Sequence, residues 1–86
     1  MDINKLNLII QKKISKIISC QKIQIEDQTY LHKKHKSHEE GRFHIKLIIK
    51  SNELLKMKKI DSTRKIYKIL DYELKNYIHS LQILLN

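Results

Sequence analysis

The chain has 86 residues and a formal net charge of +9, room for one modest hydrophobic core and too little for a second domain or a deep enclosed cleft. Its apolar residues are nearly all isoleucine and leucine, with no alanine, valine, proline or tryptophan, and only two of its 18 basic residues are arginine, a skew typical of an AT-rich genome. One cysteine, Cys20, excludes an intrachain disulfide or a thiolate cluster built from this chain alone, and no run approaches the roughly 18 to 20 apolar residues of a membrane span.

From Asp2 to Ser19, apolar residues recur at Ile3, Leu6, Ile10, Ile14 and Ile17, the spacing of one helical face, with Lys12, Lys13 and Lys16 opposite and Asp2 placed to cap the start. Lys22 to Glu26 then alternates around Ile23 and Ile25, which predicts a short strand. Between Asp27 and Arg42 the pattern dissolves into a polar, long and flexible loop holding Tyr30, His32, His35, His38 and the only glycine, Gly41, placed to turn the chain into the next strand.

Phe43, Ile45, Leu47 and Ile49 alternate with His44, Lys46 and Lys50 as far as Ser51, a strand with one core face and one wet face. A connector, Asn52 to Lys59, leads to a second helix capped by Asp61 or Ser62, carrying Ile66, Ile69, Leu70, Leu74 and Tyr77 and ending near Tyr77. His79 to Leu85 reads as the last strand, and a strand, helix, strand order makes the last two strands parallel. The expected fold is α+β in the order αββαβ: one domain over residues 1–86, with a mixed three-stranded sheet covered on one face by two helices.

The charge alone decides little. Clustered cations bind polyanions by releasing counterions from phosphates, but these lysines are spread along the chain, and a solvated basic surface accounts for them equally well. Nor is a self-sufficient enzyme expected, because there is no glycine-rich phosphate loop, no arrangement of Ser, His and Asp that the spacing supports, and no carboxylate isolated in an apolar run. With a reduced thiol and no secretory pattern at Met1 to Asn4, a soluble cytoplasmic protein is the expectation.

The histidines are the remaining candidates. His32, His35 and His38 stand three apart, with His44 nearby, but Lys33, Lys34 and Lys36 would repel a bare dication and no carboxylate or thiolate alternates with the imidazoles, so an independent zinc or nickel site is disfavoured. His79 interrupts the apolar run Tyr77, Ile78, Leu81, and strand parity points it to the side of Leu81 and Ile83. Periodicity alone leaves it equally a rim histidine or a ligand.

Three segments resemble one family in order and at matching separations. His44-Ile-Lys-Leu-Ile-Ile-Lys-Ser51 is similar to the second strand of the BolA family, His-Phe-x-Val-x-Ile-Val-Ser, and Ile78-His-Ser-Leu-Gln-Ile83 to its terminal Ile-His-Ala-Leu-x-Ile. Asp27-Gln-Thr-Tyr-Leu-His-Lys-Lys-His35 is similar to its Asp-x-Ser-x-x-His-x-Gly-His loop, with Thr29 for Ser and Lys34 for Gly. The resemblance runs from about Ile23 to Ile83. It departs where the family has Ser-x-x-Phe-x-Gly and then Arg-His-Arg: here stand Ser51-Asn-Glu-Leu-Leu-Lys56 and Ser62-Thr-Arg64, keeping only the last Arg.

The resemblance implies a class II KH-like fold, in agreement with the αββαβ order, and a non-enzymatic adaptor, monomeric alone or weakly homodimeric, that pairs with a monothiol glutaredoxin in iron–sulfur cluster trafficking or iron regulation. By position it implies His79 and His32 as ligands of a [2Fe–2S] cluster shared with the partner's thiolate and glutathione, none being held by the isolated chain. His35 is the alternative loop ligand and His38 a weaker one. Imidazole in place of thiolate is an established cluster variant. The family's association with transcription, morphology and stress response implies a second reading, DNA or RNA binding, for which Lys56, Lys58, Lys59 and Arg64 are the candidate contacts. Against it, the Gly-x-x-Gly clamp is absent and aromatic residues are few. Cys20 aligns with no ligand position and is expected to be buried as a small apolar side chain.

Overall fold

The structure is a computed structural model and describes residues 1–29 and 42–86. Tyr30, the three loop histidines His32, His35 and His38, and Gly41 lie outside the described residues, so the expectations placed on them are not addressed by it.

The first helix, α1, spans Ile3–Ile17 and begins as its sequence predicts, with the Asp2 carboxylate accepting the Lys5 amide at 2.8 Å. Leu6, Ile10 and Ile14 are fully buried. The expected face ends differently: Ile17 is exposed, and Ile18, which leaves the helix in an extended conformation, is buried in its place. Since 3.6 residues complete a turn, either residue continues the stripe, and the chain's exit direction decides between them.

Strand β1 (Lys22–Asp27) pairs antiparallel with β2 (Phe43–Lys50), and β2 pairs in parallel with β3 (Ile78–Leu85), giving the order β1-β2-β3 with β2 central. The alternation in β2 sends Ile45, Leu47 and Ile49 to the buried side and leaves Lys46, Ile48 and Lys50 on the other. The buried set meets Leu6, Ile10, Ile14 and Ile18 of the first helix region and Leu54, Ile66, Leu70 and Ile78 in one core cluster. The sheet is therefore covered by helices on one face, as expected, and the other face stays wet.

The region between β2 and β3 holds three helical pieces rather than one helix: α2 (Asn52–Leu55), α3 (Lys59–Ile69) and α4 (Asp71–Asn76). Ser51 explains the first. Its buried hydroxyl donates to the Ser19 carbonyl at 2.7 Å and accepts the Leu54 amide at 3.3 Å, so one side chain caps α2 and ties it to the end of α1. Neither Asp61 nor Ser62 caps α3. The helix starts three residues before an Asp61 cap would begin it, after Lys58, which makes no side-chain cap; Asp61 contributes its charge to the first turn, and buried Ser62 donates instead to the Lys59 carbonyl at 2.9 Å. Buried Leu70, at φ −98° and ψ 18°, interrupts the expected continuous helix and restarts it as α4.

Cys20 is half-buried beside the Ile18 carbonyl, 3.5 Å from its Sγ, in keeping with a packing role. Burial pushes its thiol up, the nearby Glu53 charge adds to this, and a hydrogen bond with Ser51 works the other way. A raised folded value means that the folded chain holds the proton more tightly. Its contribution to stability is thus intact below the range of a free thiol and declines as pH rises through the folded value. Alkylation of Cys20 by iodoacetamide at pH 8 should be several-fold slower in the native chain than in urea, as followed by mass spectrometry. Equal rates would mean that the thiol is not shielded.

Candidate functional site at the head of the last strand

The site is created by an irregularity in pairing. Phe43 stands opposite Ile78, but the next residue of β2, His44, stands opposite Ser80, so His79 is an extra residue on β3 at a β-bulge. The consequence corrects the parity expectation. In a regular strand His79 would share the side of Leu81 and Ile83, toward the helices. The bulge releases it: Ile78 is buried, whereas His79 is exposed with its ring against that of His44, centroids 4.9 Å apart and planes at 55°.

His44 is held from several directions. It is 8% exposed, and its Nδ1 shares a 2.7 Å hydrogen bond with Ser80 Oγ, the residue opposite it in the ladder. Its backbone amide donates to Thr29 Oγ1 at 3.2 Å, and its carbonyl accepts the Gln28 amide at 2.7 Å. Thr29 is itself fixed, its hydroxyl donating to the Asp27 carboxylate while its amide donates to the same oxygen at 3.0 Å. The Asp-x-Thr segment, singled out in the sequence as a motif, thus has a structural function: it ties the chain at Thr29 to the backbone of His44, the residue whose ring His79 meets.

These contacts bring together one accessible imidazole, His79, one nearly buried imidazole that backs it, His44, and the root of the segment containing His32 and His35. His32 is three residues beyond Thr29, a reach of roughly 10 Å in extended chain. Among the described residues, no three His, Cys, Asp or Glu side chains gather as a metal site. Tyr77, two residues before His79, keeps its proton to higher pH than a free tyrosine, because it is hydrogen-bonded to Tyr72 and flanked by the Tyr72 and Glu73 charges; it adds no charge beside the site at neutral pH. Arg42, where the described chain resumes, donates from its guanidinium to the Lys75 carbonyl at 3.1 Å, and the Phe43 amide donates to the Tyr77 carbonyl at 2.9 Å.

His44 is the residue whose role the sequence concealed. It appeared at the head of the second strand, grouped with loop histidines as a potential ligand, and the signal that would have separated it is its place on the wet face of β2 at the height where β3 begins. The four candidate nucleic-acid contacts lie elsewhere. Lys56, Lys58 and Lys59 are exposed around the turn from α2 to α3, and Arg64 is exposed within α3.

Comparison with known proteins agrees with this architecture. A 75-residue stretch, 87% of the chain, is 31% identical to the DNA-binding transcriptional regulator BolA of Haemophilus influenzae and covers 70% of that protein. Among solved structures, the BolA domain of SufE1 from Arabidopsis thaliana superposes with a TM-score of 0.76 at 26% identity, covering all of this chain and 93% of that one. BolA1 from Arabidopsis thaliana gives 0.72 at 26% identity, covering 88% of this chain and 83% of its own. The family described as BolA-like protein matches residues 14–86, a span that takes in the bulge at His79, the pinned Asp27-to-Thr29 turn and all three strands, and the chain accordingly belongs to the BolA-like family.

Proposed function

We propose that the chain is a non-enzymatic adaptor that docks a monothiol glutaredoxin and lends imidazole ligands to a bridged [2Fe–2S] cluster, in iron–sulfur cluster trafficking or iron regulation. The observation that carries this reading is the accessible His79, expelled by the bulge and backed by His44, with Thr29, at the root of the His32 segment, bonded to the backbone of that same His44. The donor chemistry fits a half-site. The described residues gather too few ligands for a metal alone, the single thiol, Cys20, is half-buried against the core with its proton held more tightly than in a free thiol, and a cluster accepts imidazole where thiolate is lacking, so a partner must bring the thiolates.

In this arrangement His79 presents a ring nitrogen to the shared cluster and one loop histidine, His32 or else His35, supplies the other ligand from this chain. His44 and Ser80 fix the ring against which His79 rests. When bound, the cluster supplies one-electron redox chemistry tuned upward by its nitrogen ligands.

Anaerobic co-expression with a monothiol glutaredoxin should yield a heterodimer whose visible absorption and circular dichroism differ from those of the glutaredoxin homodimer. His79→Ala should abolish the heterodimer spectrum, and comparison of His32→Ala with His35→Ala should single out the loop ligand. Spectra indifferent to all three substitutions would overturn the ligand assignment. The name of the Haemophilus relative and the exposed Lys56, Lys58 and Lys59 support a second reading, a nucleic-acid-binding regulator. Affinity for a defined DNA site that persists at physiological salt would favour it, while binding that disappears with salt and ignores sequence would reflect the lysines alone.

A further inference from the structure

At the opposite end of β3 from His79, two features coincide. The first is an open strand edge. With the order β1-β2-β3, β3 is an edge strand among the described residues, and the Asn86 amide donates to the Ile49 carbonyl, so by strand alternation Leu81, Ile83 and Leu85 turn their backbone groups outward. Tyr67 Oη donates to the Leu81 carbonyl at 3.3 Å, which closes the edge there and, among the described residues, leaves it open at Ile83 and Leu85. Proteins usually guard such edges with charge. The other edge strand, β1, carries Lys22, Glu26 and Asp27, whereas all eight residues of β3 are free of Lys, Arg, Asp and Glu in a chain that is 31% charged.

The second feature is a mainly apolar groove of about 270 Å³ running beside that open edge, walled by leucines 54, 55, 84 and 85 with Met57 and Ile83, and by Ser62 and Thr63 where α3 borders it. Leu55 and Leu84 are 53% and 44% exposed, which is apolar surface at the rim of an apolar channel. Lys59 lines the groove at the start of α3, and Lys56 and Lys58 stand in the adjoining turn. None of the three lysines has a carboxylate partner among the described residues.

We propose that the open edge of β3 and this groove form a docking site for an extended segment of a partner protein, with apolar side chains at alternate positions and acidic residues flanking them. Backbone pairing with Ile83 and Leu85 supplies the register, alternate side chains enter the groove, and the lysines of the α2–α3 turn receive the flanking carboxylates. Charge decides between occupants. A second copy would bring another +9 to a basic rim, and a nucleic acid would find no aromatic ring in the groove wall on which to stack a base. Ile83 and Leu85 lie four and six residues from His79, roughly 13 to 20 Å along the strand, so this site goes beyond the cluster reading and is occupied independently of it.

The test is nuclear magnetic resonance on the isotopically labelled full chain. The probe is a ten-residue peptide of alternating leucine and serine with two glutamates at each end. Saturable shifts at the Ile83 and Leu85 amides and at the Leu54 and Leu55 methyls are expected. Lys59→Glu should weaken this peptide about tenfold and favour a version flanked by lysines, and N-methylation of the peptide amides that face β3 should abolish binding. The proposal is overturned by shifts confined to residues around His79, by unimpaired binding of the N-methylated peptide, by an oligothymidylate that displaces the peptide from the same residues, or by the same shifts appearing with chain concentration alone. Because His79→Ala leaves this groove untouched, its effect on the cluster spectrum and the peptide titration report on the two sites separately.

Discussion

Leu47→Ala is expected to remove about 3 to 4 kcal/mol of stability, a large part of what a domain of this size possesses. Leu47 is fully buried at the centre of the central strand, opposite Ile25 on one side and Ile83 on the other, with its side chain turned to the helices. Truncation forfeits the transfer energy of the lost methyls, and because both neighbouring strands are held by backbone pairing, the walls have little freedom to close over the void. Urea unfolding should show a much lower midpoint with an unchanged slope, while Leu47→Ile should cost about 1 kcal/mol. A loss under 1 kcal/mol for the alanine would mean that this strand is not the centre of the core.

The second large effect is expected at an ion pair. Glu73 is 2% exposed in α4, and both of its oxygens accept from Lys13 Nζ of α1, at 2.9 and 2.7 Å. Removing the lysine strands a buried carboxylate. Lys13→Met should therefore destabilise by roughly 2 to 3 kcal/mol, tempered because the Lys13 side chain is 39% exposed and water can partly replace it. The double variant Lys13→Met with Glu73→Leu should recover most of the loss, since the apolar pair leaves no charge to desolvate. A double-mutant cycle measures the coupling directly, and additive single effects would show that the pair does not act as a unit.

Much of this fold was legible because its strands and first helix are written in clean periods. Phe43, Ile45, Leu47 and Ile49 allowed one assignment of β2, and the parallel pairing with β3 followed from the intervening helical region. What escaped was aperiodic. No glycine or proline marks the break at Leu70, and Ile17 and Ile18 compete for the same position at the end of a helical stripe, so only the exit of the chain chooses between them. Ser62 resembled a cap but spends its hydroxyl on the Lys59 carbonyl.

The site was half legible for the same reason. His79 was conspicuous as a polar residue in an apolar run, but the parity rule that located it presupposes an uninterrupted ladder. A pairing shift is set by both strands together, and nothing in Ile78-His79-Ser80 alone announces it. His44 was hidden by the opposite effect: alternation correctly placed it on the wet face, but its burial comes from Ser80, Thr29 and His79, residues that arrive from 15 positions away in one direction and from 35 and 36 in the other.

That pairing shift has a bearing on how the chain tolerates change. Excising His79 would place Ser80 directly after Ile78 and restore an unbroken ladder to β2, with every apolar position downstream keeping its present side. The sheet would be more regular, and by that measure better built, without the residue. In this strand the architecture and the chemistry have separable requirements, and the one residue that the sheet could discard is the one that it sets at the rim, against His44.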